Sequence, residues 1–242
     1  RHTLSIPEIE RLCGIVRRVN PGAYIMVDNC YGEFCDTREP THVGADLICG
    51  SLIKNPGGGL APMGGYIAGK KELVERAANR LTLPGIGAEC GATLGVNRSL
   101  YQGFFMAPHT VAQALKTAAF CTSLMGLLGY EVTPGDDRPG LDIIHTVNFG
   151  SREKLLAFCR GVQAGSPVDA FVTPEAWDMP GYDDQVVMAA GTFIQGASIE
   201  LSCDGPMRPP FTAFIQGGLT YESGKLGIMT AVQSLLDSQS GK

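Results

Sequence analysis

Two short apolar runs, each leading to a residue that carries chemistry, constrain the chain more than anything else in it. Residues 23–27 (Ala-Tyr-Ile-Met-Val) end on Asp28. Residues 46–50 lead through Ser51-Leu52-Ile53 to Lys54, and Asn55-Pro56 with three glycines then folds the backbone tightly. Short apolar runs bounded by polar residues and glycine read as buried parallel strands. In open α/β sheets ligands sit outside the carboxyl ends of the strands. The pattern therefore predicts an α/β fold with Asp28 and Lys54 at its chemical end.

A lysine followed by glycines and preceded by a carboxylate suits pyridoxal 5'-phosphate. That cofactor needs a lysine amine for a Schiff base and an acid partner for its pyridinium nitrogen. Asp28-Asn29-Cys30-Tyr31 followed by Ser51-x-x-Lys54 resembles the pyridoxal-phosphate enzymes of cysteine and methionine metabolism, the methionine γ-lyases and cystathionine β- and γ-lyases. The longer strings SLIKNPGGG and GGYIAGK are similar to one branch in particular, the methionine γ-lyase family also known as aluminium resistance proteins. The resemblance covers nearly the whole chain but only the second half of such an enzyme. It implies an incomplete aspartate-aminotransferase-like fold. Residues 1–104 would be the C-terminal part of the cofactor-binding large domain, and residues 105–242 a connecting helix and small α/β domain.

The same resemblance implies roles. Lys54 would form the Schiff base and, once freed, take the substrate α-proton. Asp28 would hold the pyridinium, Tyr31 the phenolic oxygen and Ser51 the phosphate, with Asn29 orienting its neighbours. Ile53 stands where the family often has a second hydroxyl. The family's R-L-S arginine, which forks the substrate carboxylate, is replaced by Glu200 in Glu200-Leu201-Ser202, so Arg208 is the nearest substitute. The reading is a lyase acting on a sulfur-containing amino acid, built as a homodimer or homotetramer. Its rivals are an aminotransferase-type reaction on the same cofactor and a non-catalytic stress-response scaffold. The family's phosphate loop and ring-stacking aromatic belong to its first half, so this chain by itself is expected to be inactive.

Composition sets the outer limits. With 242 residues, 44% of them apolar and 18% charged, the chain can bury a sizeable core and is unlike a disordered segment. A net charge of −5 argues against a nucleic-acid partner. Eight cysteines without a C-x-x-C pair, most of them inside apolar runs, read as free thiols of a reducing, cytoplasmic setting. Cys30, Cys35 and His42 come nearest to a metal set, and no metal site is expected. His109 and His145 read as core histidines. No signal peptide or membrane span is visible.

Along the chain, Ser5-Ile6-Pro7-Glu8 has capping-box spacing and predicts a helix to about residue 19, with Ile9, Leu12, Ile15 and Val16 inward. Residues 64–70 spell G-x-x-x-x-G-K, but Lys71 stands where a phosphate loop needs Ser or Thr, so a strand at 66–68 entering a helix at 71–81 is expected. A long helix is predicted at 107–128. Strands follow at 143–149, 170–172, 186–190, 198–202 and 211–215, with helices at 153–162 and 224–236.

Overall fold

A computed structural model of the chain describes residues 3–91, 93–135 and 140–240. The chain divides into two compact units, residues 2–107 and residues 108–242.

The first unit opens with α1 (Ile6–Val19), started by the predicted box: the Ser5 side chain accepts from the Glu8 N–H and the Glu8 carboxylate accepts from the Ser5 N–H. Cys13 is the buried residue of α1, against the 3-10 turn Pro40–Val43, whereas Leu12, Ile15 and Val16 are exposed. The inward face expected from the apolar spacing is thus corrected. The contact follows Cys13, whose Cβ sits 3.1 Å from where a Cβ on Gly44 would lie.

Three strands follow, β1 (Met26–Asp28), β2 (Leu47–Ser51) and β3 (Gly65–Gly69), ordered β1-β2-β3. β1 and β2 are parallel, with Val27 opposite Ile48 and Asp28 opposite Cys49. β3 runs antiparallel to β2, then Lys71 starts α2 (Lys71–Leu81). Asp46, placed in the apolar run at the sequence level, is a buried ionic hub. It accepts from Lys70 Nζ at 2.7 Å and from the Ile25 N–H at 2.7 Å, and pairs with Arg17. Burial opposes ionisation there, but these donors hold the carboxyl far below its ordinary range. A buried charge persists only when paired and hydrogen-bonded in this way.

The long helix α3 (Asn97–Leu127) begins ten residues before its predicted start and carries Pro108 inside it. Proline lacks an N–H and reads as a breaker, which hid the first part of this helix. Past residue 107, the second unit is a five-stranded antiparallel sheet in the order β4-β5-β8-β7-β6. Its strands are β4 (Glu131–Thr133), β5 (Ile144–Asn148), β6 (Val186–Ala189), β7 (Ser202–Pro206) and β8 (Thr212–Gln216). The helices α4 (Arg152–Ala164) and α5 (Tyr221–Gln239) pack on one face. Alternate strand residues Val147, Val187, Cys203, Ala213 and Ile215 join Phe158, Ile228 and Leu235 in its core.

Two strand expectations fail here. Residues 170–172 are a turn and coil with Phe171 exposed. The strand expected at 198–202 lies at Ser202–Pro206 instead, because Glu200 folds inward to close the preceding loop. The short β4 had no counterpart in the sequence reading. No helix among the described residues is long and apolar enough to cross a membrane.

Candidate active site around Lys54

The parallel pairing of β1 with β2 brings their carboxyl ends together. Asp28 is the last residue of β1, and the next N–H, of Asn29, donates to the Cys49 carbonyl at 2.9 Å. Ser51 is the last residue of β2, and Lys54 follows in a tight turn whose Leu52 N–H donates to the Gly64 carbonyl. The Lys54 ammonium lies over the Tyr31 ring, 4.2 Å from its centroid. A cation that close to a ring face is held by the ring quadrupole.

The electrostatics suit an ionised acid beside a charged amine. The Cys30 backbone N–H, donating to Asp28 Oδ1 at 3.1 Å, together with the Cys30 side chain, holds the Asp28 carboxyl below its ordinary pKa. The Lys54 charge adds to this. For Lys54, burial alone would lower the pKa, but the Tyr31 hydrogen bond and charge, with Cys30, more than offset it, so the amine sits above its ordinary value.

A buried polar scaffold carries the turn from Asp28. Asn29 does not face its neighbours, as the sequence suggested, but donates through Nδ2 to Glu39 Oε2 at 2.8 Å. Glu39 Oε1 in turn accepts from the Phe34 N–H at 3.0 Å. Tyr31 and Phe34 both have positive φ, 76° and 63°. Glu33 is buried and accepts from the Tyr66 hydroxyl on β3 at 2.9 Å. Asn55, fully buried, donates through Nδ2 to the Tyr31 and Glu33 carbonyls, each at 3.0 Å. Glu33, Glu39, Asn55 and Tyr66 were missed in the sequence. The signal present was Asn55 itself, a polar residue between the site lysine and Pro56.

The glycines after Lys54 have a packing cause. Gly57 and Gly58 meet α3 at Gly103, where a Cβ on Gly103 would lie 2.1 Å from the Gly57 carbonyl oxygen. Only bare backbone fits that crossing.

The described structure thus gathers Asp28, Asn29, Tyr31, Ser51 and Lys54 in the first unit. Arg208 belongs to the second unit, where it pairs with Asp184 at 3.1 Å. Glu200, in the family arginine's position, is buried and clamps a loop by accepting from the Phe193 and Ile194 N–H groups at 2.9 and 3.1 Å. Burial raises its carboxyl above the ordinary value against those two bonds. All eight cysteines are free, and among the described residues no three His, Cys, Asp or Glu side chains converge as a metal site.

The donor set fits pyridoxal phosphate at two of its three handles. Lys54 offers the amine and Asp28 a carboxylate kept ionised by backbone and charge, while the phosphate finds the Ser51 hydroxyl alone among the expected residues. Comparison with known proteins shows what the chain is similar to. The chain is 53% identical over 239 residues to YnbB of Bacillus subtilis, an uncharacterised protein, covering 99% of this chain and 57% of that one. It is 54% identical to a carbon-sulfur lyase involved in aluminium resistance from Clostridium novyi, with a TM-score of 0.91 over 96% of this chain and 54% of that one. The chain therefore spans about half the length of these relatives. At 15% identity it still shares its fold with cystathionine gamma synthase from Xanthomonas oryzae, at a TM-score of 0.61 over 95% of this chain and 60% of that one. The sequence model of methionine gamma-lyase matches residues 1–236, and the chain belongs to the methionine gamma-lyase family.

Proposed function

We propose that this chain is part of a pyridoxal-phosphate-dependent carbon-sulfur lyase that acts on a sulfur-containing amino acid, by elimination of the methionine γ-lyase or cystathionine β-lyase kind. The observation that carries the proposal is the convergence of Asp28 and Lys54 at the carboxyl ends of two paired parallel strands. Membership of the family and similarity to the Clostridium novyi carbon-sulfur lyase support the lyase chemistry. The fold is proposed to be the aspartate-aminotransferase-like one, with the first unit as part of its large domain.

Pyridoxal phosphate, when bound, supplies an aldehyde for the lysine and a ring that accepts electrons from the substrate α-carbon. The chain's own residues do the rest. Lys54 is the covalent anchor, and its freed amine carries the proton at the substrate α-carbon. Asp28, held ionised, would hold the ring nitrogen and favour its protonated form. Tyr31 would donate to the phenolic oxygen and Ser51 to the phosphate, and Arg208 is proposed to fork the substrate carboxylate. A homodimer or homotetramer in the cytoplasm is the proposed setting. With Ser51 the lone phosphate ligand among the expected residues, residues 1–242 alone are proposed to bind the cofactor weakly.

The test is visible absorbance of the full-length protein with added pyridoxal phosphate, followed by assays for thiol and α-keto acid release from sulfur amino acids. Absence of a protein-bound absorbance band after unbound cofactor is removed by gel filtration would sink the proposal. A band with amino transfer instead of thiol release would replace the lyase with a transaminase.

A further inference from the structure

We infer that Asn55 is a positioning residue of the lysine site: its buried amide, donating to the Tyr31 and Glu33 carbonyls, fixes the Tyr31 ring under the Lys54 ammonium. The inference rests on the reading of Lys54 as the cofactor anchor and deepens it.

Three observations carry it. Tyr31 is a non-glycine residue at φ 76°, a conformation that persists only where its surroundings impose it. Its carbonyl accepts from Asn55 Nδ2 at 3.0 Å and from Cys35 Sγ at 3.4 Å, and the same two donors reach the Glu33 carbonyl two residues on, at 3.0 and 3.7 Å, the amide being the stronger donor of the two. One amide therefore closes the turn on both sides of Gly32. Asn55 is also the residue after Lys54, so a single dipeptide grips Tyr31 twice. Lys54 Nζ rests on its ring at 4.2 Å while Asn55 holds its backbone. Asn55 and Pro56 open a 3-10 turn, Asn55–Gly57, in which the proline ring fixes its own φ. The turn is pinned at its far side too, by Tyr66 on the Glu33 carboxylate and by Glu39 on the Phe34 N–H. In this arrangement the ring beneath the Lys54 ammonium depends on Asn55 for its place.

The test reads Lys54 directly and without cofactor. The cofactor-free full chain is reductively methylated with 13C-formaldehyde, the dimethyl-Lys54 resonance is assigned by its loss in Lys54→Arg, and its chemical shift is followed against pH. Asn55→Leu, which keeps the branching and the number of heavy atoms and removes both donors, is expected to move the Lys54 midpoint down, in the same direction as Tyr31→Leu. The double variant is expected to go no lower than Tyr31→Leu alone, because Asn55 acts through the ring. An unmoved midpoint in Asn55→Leu, or additive shifts in the double variant, overturns the inference. Asn55→Ser, smaller and keeping one donor, should fall between the parent and Tyr31→Leu if Asn55→Leu does not fold. Tyr31→Leu stands independently of both, and a parental Lys54 midpoint in it ends the proposal. Since no cofactor enters the titration, its failure is separate from failure of the lyase reading, which the absorbance band decides.

Discussion

The Tyr66 hydroxyl donates to Glu33 Oε1 at 2.9 Å, and Glu33 Oε2 is buried with no hydrogen-bond partner among the described residues. Burial raises the Glu33 pKa from 4.5 to about 7, outweighing the nearby backbone N–H groups of Glu33 and Tyr31 and the Tyr66 bond. Between those two values the folded chain binds more protons than the unfolded one. Stability therefore falls as pH rises from about 4.5 to about 7, and the full penalty, on the order of 3 kcal/mol, is present above that window. Glu33→Gln is expected to be more stable than the parent at pH 8 and to lose that advantage near pH 5. Urea unfolding at both pH values checks it, and parallel profiles for the two proteins would show that Glu33 does not set the pH dependence.

Gly103 on α3 makes the second prediction. A Cβ there would overlap the Gly57 carbonyl oxygen, so Gly103→Ala must push the turn that follows Lys54 away from the helix. Overpacking of this kind costs about 1–3 kcal/mol. Gly126, near the other end of the same helix, is the control, since its nearest neighbour would be Val132 Cγ2 at 3.9 Å. Gly126→Ala should be neutral or stabilising by up to about 1 kcal/mol. Thermal unfolding of the two variants should therefore diverge, and equal melting temperatures would mean that the Gly57–Gly103 crossing is loose.

The third prediction concerns the anchor. Borohydride reduction of the cofactor-loaded full-length protein, with peptide mapping, should label Lys54, and Lys54→Ala should abolish the label. Label on Lys70 instead would end the proposal, since Lys70 is committed to Asp46 at 2.7 Å.

These residues also mark how far the sequence could be read. Asp28 and Lys54 were legible because strand ends and their punctuation are local signals, as was the Ser5–Glu8 box. What escaped was long-range polar pairing. Asp46 looked like the start of an apolar strand, and its partners lie 29 residues before it and 24 after, in Arg17 and Lys70. Glu33 and Tyr66 are likewise 33 residues apart. The strand expected at 198–202 failed for a more local reason: Glu200 is pointed inward by the backbone N–H groups of Phe193 and Ile194, seven and six residues before it, and closes a loop there. In α1 the apolar stripe was real and the wrong part of it was assigned to the interior.

Asp28→Asn is the fourth prediction. The geometry of an amide is nearly that of the carboxylate, so the Cys30 N–H should keep its acceptor and the turn its shape. The negative charge that would hold the ring nitrogen protonated is lost, and with it the ring's capacity as an electron acceptor. Cofactor should remain bound with turnover nearly abolished. Near-parental turnover would reduce Asp28 to a turn carboxylate.

The last prediction weighs Arg208 against its partner. Its guanidinium is already engaged by Asp184 at 3.1 Å, although the Arg208 side chain is 64% exposed and the Asp184 side chain 34%. An exposed pair of this kind is worth at most about 1 kcal/mol, so an incoming carboxylate can displace Asp184 at small cost. If Arg208 is the substrate fork, Arg208→Ala should weaken amino-acid binding by about 1.5–3 kcal/mol, the scale of a hydrogen bond to a charged group. Asp184→Asn should act oppositely, strengthening binding by removing the competitor. The cofactor spectrum should be unchanged in both, because neither residue is assigned to the ring. Titration of the full-length protein with substrate amino acid gives the two affinities. Opposite shifts would assign the fork, whereas an unaltered Kd in Arg208→Ala would pass the role to another arginine. Arg152, held by Gln185 Oε1 at 3.0 Å, is then the next to test. Arg138, the other candidate, lies outside the described residues.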